Sequence, residues 1–193
     1  MKQNKTIAVT GGIGSGKSTV MNMISEHGYP VFSCDKIYND LTNDPKFLDM
    51  LCSRFGDIRD YKGQLDRKKL SAIVFNNADS LAELNKLTHP AVYAELFKRI
   101  NNLNDTCFCE VPLLFESGGE HLFDDVIIVM RKKTARINST VKRDNLPPEM
   151  VEQRIKSQIN YDNIDFTMYY VIHNDDDLAS LSRQVDEILR KIH

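Results

Sequence analysis

No apolar run in this 193-residue chain is long enough to cross a bilayer. The stretches Val111 to Phe115 and Val126 to Met130 hold five residues each, against the roughly 20 that a spanning helix needs. The opening Met1-Lys2-Gln3-Asn4-Lys5 contains no signal-peptide core, and the close at Lys191-Ile192-His193 carries no lipidation motif. The expectation is a cytoplasmic chain with no membrane partner. A basic excess is missing too. With 25 Lys+Arg against 27 Asp+Glu, the formal net charge is -2. That speaks against a nucleic-acid partner and leaves room only for a local basic patch. Cysteines are few: Cys34, Cys52, Cys107 and Cys109 lack zinc-finger spacing. Cys107-Phe108-Cys109 alternates as a strand does, which reads as two buried small residues in a reducing compartment. Repeats, low-complexity tracts and Gly/Ser linkers are absent. At 41% hydrophobic and 27% charged, the composition is that of an ordinary globular protein. The length suffices for a core without disulfide or metal staples.

What is present is an alternation of strand and helix signals. Short β-branched or apolar runs lie at Lys5 to Thr10, Tyr29 to Cys34, Thr106 to Val111, Asp125 to Met130 and Tyr169 to His173. Helical spacing fills Ser18 to His27, with Gly28 as a left-handed stop, and the stripe Leu178, Leu181, Val185, Ile188, Leu189 and Ile192, with Asp177 as its cap. Strands separated by helices imply parallel pairing, so the predicted fold is α/β, a five-stranded parallel sheet flanked by helices. Two stretches fall outside the alternation. About 36–104 is helical throughout, with a stripe from Leu81 to Ile100 that His89-Pro90 is expected to break or kink. About 131–165 is polar and helical, with Pro147-Pro148 placed at a helix start. The first reads as a helical substrate module and the second as a lid, both inserted into a single domain over 1–193.

The chemistry begins at Gly11-Gly12-Ile13-Gly14-Ser15-Gly16-Lys17-Ser18-Thr19, which matches G-x-x-x-x-G-K-[ST] between a strand and a helix. Glycines let backbone N–H groups approach phosphate oxygens with no Cβ in the way, and the following helix adds its positive end. Lys17 can reach the β- and γ-phosphates of ATP, and the Ser18 hydroxyl can ligate Mg²⁺. Three further features bear on the reaction. Asp35 directly follows the second strand, where a carboxylate can accept a proton from an attacking hydroxyl or help hold Mg²⁺; it also suits a helix cap before Lys36. Glu110 ends the third strand, the place of a metal or metal-water ligand, or else of a solvated carboxylate. Leu113, Leu114 and Phe115 after it form a packing wall or a substrate pocket. Finally, 131–156 is rich in Arg and Lys, and Arg136 and Arg143 share a helix face. Most of these cations belong to a solvated face, but Arg143 foremost can close over the transferred phosphoryl.

Taken in order, these motifs resemble the dephospho-CoA kinase family, a group of P-loop kinases. The phosphate loop from Thr10 to Thr19 carries the likeness, with Asp35, Phe55-Gly56, Leu65-Asp66-Arg67, Leu70, Val74-Phe75 and Thr88-His89-Pro90-Ala91-Val92. It continues through Pro112-Leu113-Leu114-Phe115-Glu116, Arg143-Asp144, Arg154-Ile155, Gln158 and Asn174. The resemblance implies ATP- and Mg²⁺-dependent phosphorylation of the ribose 3′-hydroxyl of dephospho-coenzyme A, the last step of coenzyme A synthesis. It implies Asp35 as base, Asp66, Arg67, His89 and Leu113 on the acceptor side, and Asn174 in a loop near the adenine. Its expected partner is this small molecule alone, bound by a monomer or weak oligomer. Two departures stand out. The family often has a second lid arginine where this chain has Ser139, for which Arg136 is a candidate replacement. It often has Ala-Asp where this chain has Met168-Tyr169.

Other readings compete. A shikimate- or gluconate-type kinase also places an Asp after strand two, but lacks the long helical insertion and the Thr-His-Pro motif. A regulatory P-loop NTPase would use D-x-x-G, which Asp60-Tyr61-Lys62-Gly63 matches. The residues before it do not make a buried strand, and no Asn-Lys-x-Asp guanine-reading motif occurs.

Overall fold

The computed structural model describes residues 4–74, 77–101 and 103–192, without the side chain of Asp162. Met1 to Gln3, Phe75 and His193, named above from the sequence, lie outside the described residues. In chain order the elements are β1 (Thr6–Thr10), α1 (Lys17–Glu26), β2 (Val31–Ser33), α2 (Cys34–Thr42), α3 (Pro45–Phe55), α4 (Arg67–Val74) and α5 (Ala78–Ile100). They continue with β3 (Cys107–Glu110), β4 (Asp125–Met130), α6 (Lys133–Asp144), α7 (Pro148–Lys156), β5 (Tyr170–His173) and α8 (Leu178–Ile192). The chain forms two compact units, Met1–Ser33 with Leu103–His193, and Cys34–Asn102.

The first unit holds a five-stranded sheet in the order β2-β3-β1-β4-β5, with every pair parallel. Four consecutive β1 residues, Ile7 to Thr10, are buried. Neighbouring strand residues face opposite sides, so both faces of the sheet are covered, as parallel sheets require. On one face α1 and α8 pack over β1, β3, β4 and β5: Val20, Ile24, Leu181 and Val185 join Ile7, Val9, Phe108, Ile127 and Ile172 in one core. The ends follow local chemistry. Gly28 takes φ +86° after α1, and Asp177 Oδ1 accepts from the Ser180 N–H at 2.8 Å at the start of α8. The second strand is shorter than expected, because Cys34 opens a helix at once instead of ending β2.

The second unit is helical. Leu48, Leu51, Ile58, Leu70 and Val74 gather α3 and α4 around a small core. Arg99 on α5 joins α2, its guanidinium 3.0 Å from Asp40 and 3.0 Å from Glu95. The GTPase-like Asp60-Tyr61-Lys62-Gly63 is a tight turn. Its Asp60 carboxylate accepts from the N–H groups of Lys62 (2.8 Å) and Gln64 (2.9 Å), so this acid is spent on its own loop.

The expected break at His89-Pro90 does not occur: α5 runs from Ala78 to Ile100 with Pro90 inside it. Burial of Thr88, Val92, Leu96 and Ile100 along one face holds the helix on both sides of the proline. That packing outweighs a penalty of about 3 kcal/mol for an interior proline. Pro90→Ala should therefore raise the unfolding free energy by about 1–3 kcal/mol, read as a higher midpoint in urea.

Candidate active site

β1 has β3 on one side and β4 on the other, so its carboxyl end is where the strand order reverses. Ligands of open α/β sheets bind in the crevice there. The loop Gly11 to Gly16 leaves this end and enters α1 at Lys17. Gly14 at φ +75° and Gly16 at φ +98° adopt the left-handed backbone that side chains resist. Gly16 is the N-cap of α1, no side chain caps it, and no acid sits in the first turn. The positive helix end is thus left for an anion.

Lys17 Nζ donates to the carbonyls of Gly11 (2.9 Å) and Gly12 (3.4 Å), folded back on its own loop. The Ser18 hydroxyl donates to Glu110 Oε1 at 3.1 Å. Register explains that meeting, because Glu110 lies level with Val9 of β1 and Ser33 of β2 at the carboxyl edge. Among the described residues no cluster of three or more His, Cys, Asp or Glu could hold a metal. One hydroxyl and one carboxylate nevertheless suit Mg²⁺, which takes one or two protein oxygens and completes its shell with phosphate and water.

The other wall of the loop is α6. A Cβ on Gly12 would collide with the Arg136 guanidinium, and one on Gly14 with the Arg136 carbonyl and the Thr140 hydroxyl. Arg136 Nε donates to the Ile13 carbonyl at 2.9 Å. Gln158, after α7, accepts from the Ile13 N–H at 2.8 Å and from Arg136 Nη2 at 3.5 Å. Asn174, just past β5, donates to the Ser15 carbonyl at 2.8 Å, and its amide fills the space a Gly16 side chain would need. Glycine at 14 and 16 is thus favoured from outside the loop as well as by its left-handed backbone, while at 12 only the movable end of Arg136 stands in the way. Tyr161 is 4% exposed, with its hydroxyl beside Thr10 but without a hydrogen bond of good geometry. Burial pushes its phenol up to about 12.

Arg143 stands in the last turn of α6. It pairs with Asp144 through Nε (2.7 Å) and Nη2 (2.9 Å), and that hydrogen bonding holds the Asp144 carboxyl below the usual carboxylate range. Leu113 takes φ +57°, an unusual backbone for a leucine, at a cost of about 1–2 kcal/mol. It is half-buried beside fully buried Leu114, while Phe115 meets Tyr161 and Tyr169 edge-on. Four expected site residues belong to the helical unit. Asp35 is exposed within the first turn of α2, which starts at Cys34; the cap position the sequence suggested for it does not exist. Asp66 caps α4, accepting from the N–H groups of Lys68 (2.9 Å) and Lys69 (3.2 Å). Arg67 donates to Asn39, and His89 lies half-buried on α5. Nothing in the sequence marked Tyr161 as a neighbour of the loop, and Arg131 was indistinct within a run of cations.

The sequence relatives of this chain share one family name. The family model described as dephospho-CoA kinase matches residues 5–180. A dephospho-CoA kinase from Fusobacterium nucleatum is 36% identical over 190 residues, covering 96% of this chain and 97% of its own. Among solved structures, a Thermus thermophilus protein superposes with a TM-score of 0.87 at 29% identity, covering 100% of both chains. A dephospho-CoA kinase from Campylobacter jejuni gives 0.71 at 28% identity over 98% of both chains.

Two measurements probe this geometry. Gly14→Ala meets backbone at a left-handed position, whereas Gly12→Ala meets only the movable end of Arg136. Gly14→Ala should therefore lower the melting temperature and weaken binding of an ATP analogue far more than Gly12→Ala does. Tyr161 holds its proton more tightly when folded, so its contribution to stability is complete below about pH 10, the unfolded value. That contribution is lost as pH rises through about 12. Alkaline melting curves of Tyr161→Phe should fall less steeply than wild type across that window.

Proposed function

The chain belongs to the dephospho-CoA kinase family, and from that membership we propose that it uses ATP to phosphorylate the ribose 3′-hydroxyl of dephospho-coenzyme A, completing coenzyme A. The extent of the likeness carries this reading. It spans the helical unit as well as the phosphate-loop unit, whereas a phosphate loop alone fits any nucleoside-triphosphate enzyme. The helical unit, Cys34–Asn102, is the acceptor-binding part, and 131–165 is the lid.

In the reaction the 3′-hydroxyl oxygen bonds to the γ-phosphorus, the bond to the β–γ bridging oxygen breaks, and ADP leaves. Asp35 orients that hydroxyl and takes its proton. The loop from Gly11 to Thr19 holds the phosphates by its N–H groups. Lys17 leaves its own carbonyls to follow the charge that develops on the transferred group. Ser18 and Glu110 hold Mg²⁺, Glu110 directly or through water. When bound there, the metal would supply neutralisation of phosphate charge. Asn174, fixed on the Ser15 carbonyl, sets the loop against which the adenine rests. On the acceptor side Arg67 and His89 bind, Leu113 lines the pocket, and Asp66 serves through the α4 cap that directs Arg67. Arg143 exchanges Asp144 for the phosphoryl group as the lid closes.

A coupled assay of ADP release over a panel of acceptors tests the assignment. Dephospho-coenzyme A should turn over far faster than shikimate, gluconate or nucleoside monophosphates, and the reverse order would sink it. Lys17→Ala should cut turnover by orders of magnitude in a folded protein. Asp35→Asn should lower kcat by roughly 10²–10⁴ with acceptor KM changed much less. Full activity in Asp35→Asn at saturating substrates would remove Asp35 from catalysis.

A further inference from the structure

Arg131 is the first residue beyond β4, and no motif assigns it a role. Its Nη1 donates to the Ser139 hydroxyl at 2.8 Å and, at 3.4 Å, to the carbonyl of Gly14 in the phosphate loop. The Ser139 hydroxyl donates its own hydrogen bond to the Ala135 carbonyl at 2.7 Å, so its lone pair is fixed toward the arginine. The guanidinium is therefore aimed from both sides, by α6 and by the loop. Among the described residues no carboxylate lies within ion-pair reach of it, and its Nε is buried without a hydrogen-bond partner. A half-buried cation that meets only neutral oxygens is poorly compensated and favours an arriving anion.

The surroundings point the same way. Arg131 lines a cavity of about 550 Å³ with Lys132, Lys133, Arg136 and Lys156, against one carboxylate, Asp175. That carboxylate is engaged, accepting from the Lys132 N–H at 2.7 Å. Cations thus outnumber acids on the side of the loop where Arg136 touches Ile13. A planar fork with donors to spare suits phosphate oxygens.

We infer that Arg131 is a nucleotide-positioning residue, which braces the Gly14 turn through its carbonyl and offers uncompensated positive charge to the polyphosphate of bound ATP, with Ser139 setting its aim. The inference rests on the proposed use of ATP but is independent of the acceptor.

The test compares Arg131→Met, which keeps the stem without the charge, Arg131→Lys, which keeps the charge, and Ser139→Ala, which removes the anchor. Calorimetric titration with AMP-PNP and Mg²⁺ measures binding without any acceptor, and melting of the ligand-free protein reports the fold. Arg131→Met should bind AMP-PNP about ten- to a hundredfold more weakly, the worth of a charged hydrogen bond. ATP KM should rise in parallel, while acceptor KM and the ligand-free melting temperature change little. Arg131→Lys should recover part of the affinity, and Ser139→Ala should fall between Arg131→Met and wild type. Wild-type affinity in Arg131→Met overturns the inference. So does equal loss in the Met and Lys variants with a lowered ligand-free melting temperature, which would make Arg131 a structural brace alone. If wild type binds AMP-PNP but does not phosphorylate dephospho-coenzyme A, the acceptor assignment falls and the Arg131 result stands. Wild type that binds no AMP-PNP overturns both.

Discussion

The nucleotide end of this chain depends on one close approach, the backbone of the phosphate loop running hard against α6. A Cβ at Gly14 would run into the Arg136 carbonyl and the Thr140 hydroxyl, and one at Gly12 would have to push the Arg136 guanidinium aside. The approach fixes which direction the loop's amides are free to face. It also brings α6 into hydrogen-bond contact with the loop, through Arg136 and the Ile13 carbonyl. Gln158 extends the same contact to the segment after α7, and Asn174 extends it to the end of β5. Three separate stretches of sequence thus converge on six residues of loop.

Electrostatics follow from that packing. The loop's carbonyls are the acceptors for Lys17, Arg136 and Arg131. A carbonyl is a modest partner for a cation and is given up more readily than a carboxylate. Arg143 is the contrast, held in a two-pronged pair with its neighbour Asp144 at the far end of α6. In the proposed cycle, cations near the loop are ready for an anion, while the distant one has to exchange a charged partner. That difference makes the last turn of α6 the place where lid closure would be felt energetically.

The helical unit solves a separate problem, holding several short helices together with a small core. It does so by local means: an Asp66 cap, an Asp60 turn, and the Arg99–Asp40 ion pair between α5 and α2. Some residues singled out from sequence for ligand chemistry turn out to have such structural employment.

By itself the sequence determined the sheet class, the phosphate loop between β1 and α1, and the caps at Gly28 and Asp177. All of these are written in spacings of a few residues, where backbone sterics and local hydrogen bonds decide. The family likeness was legible for the same reason, as short motifs in a constant order. Tertiary structure alone decided the rest. Pro90 stays inside α5 because burial along one face outweighs a local penalty. Cys34 begins a helix and takes Asp35 out of the cap position. Arg131 meets Ser139 and Gly14 across a strand end and a helix turn, and Tyr161 comes to lie beside Thr10. These contacts join residues far apart in the chain, and their energies come from packing and desolvation, which no local spacing encodes.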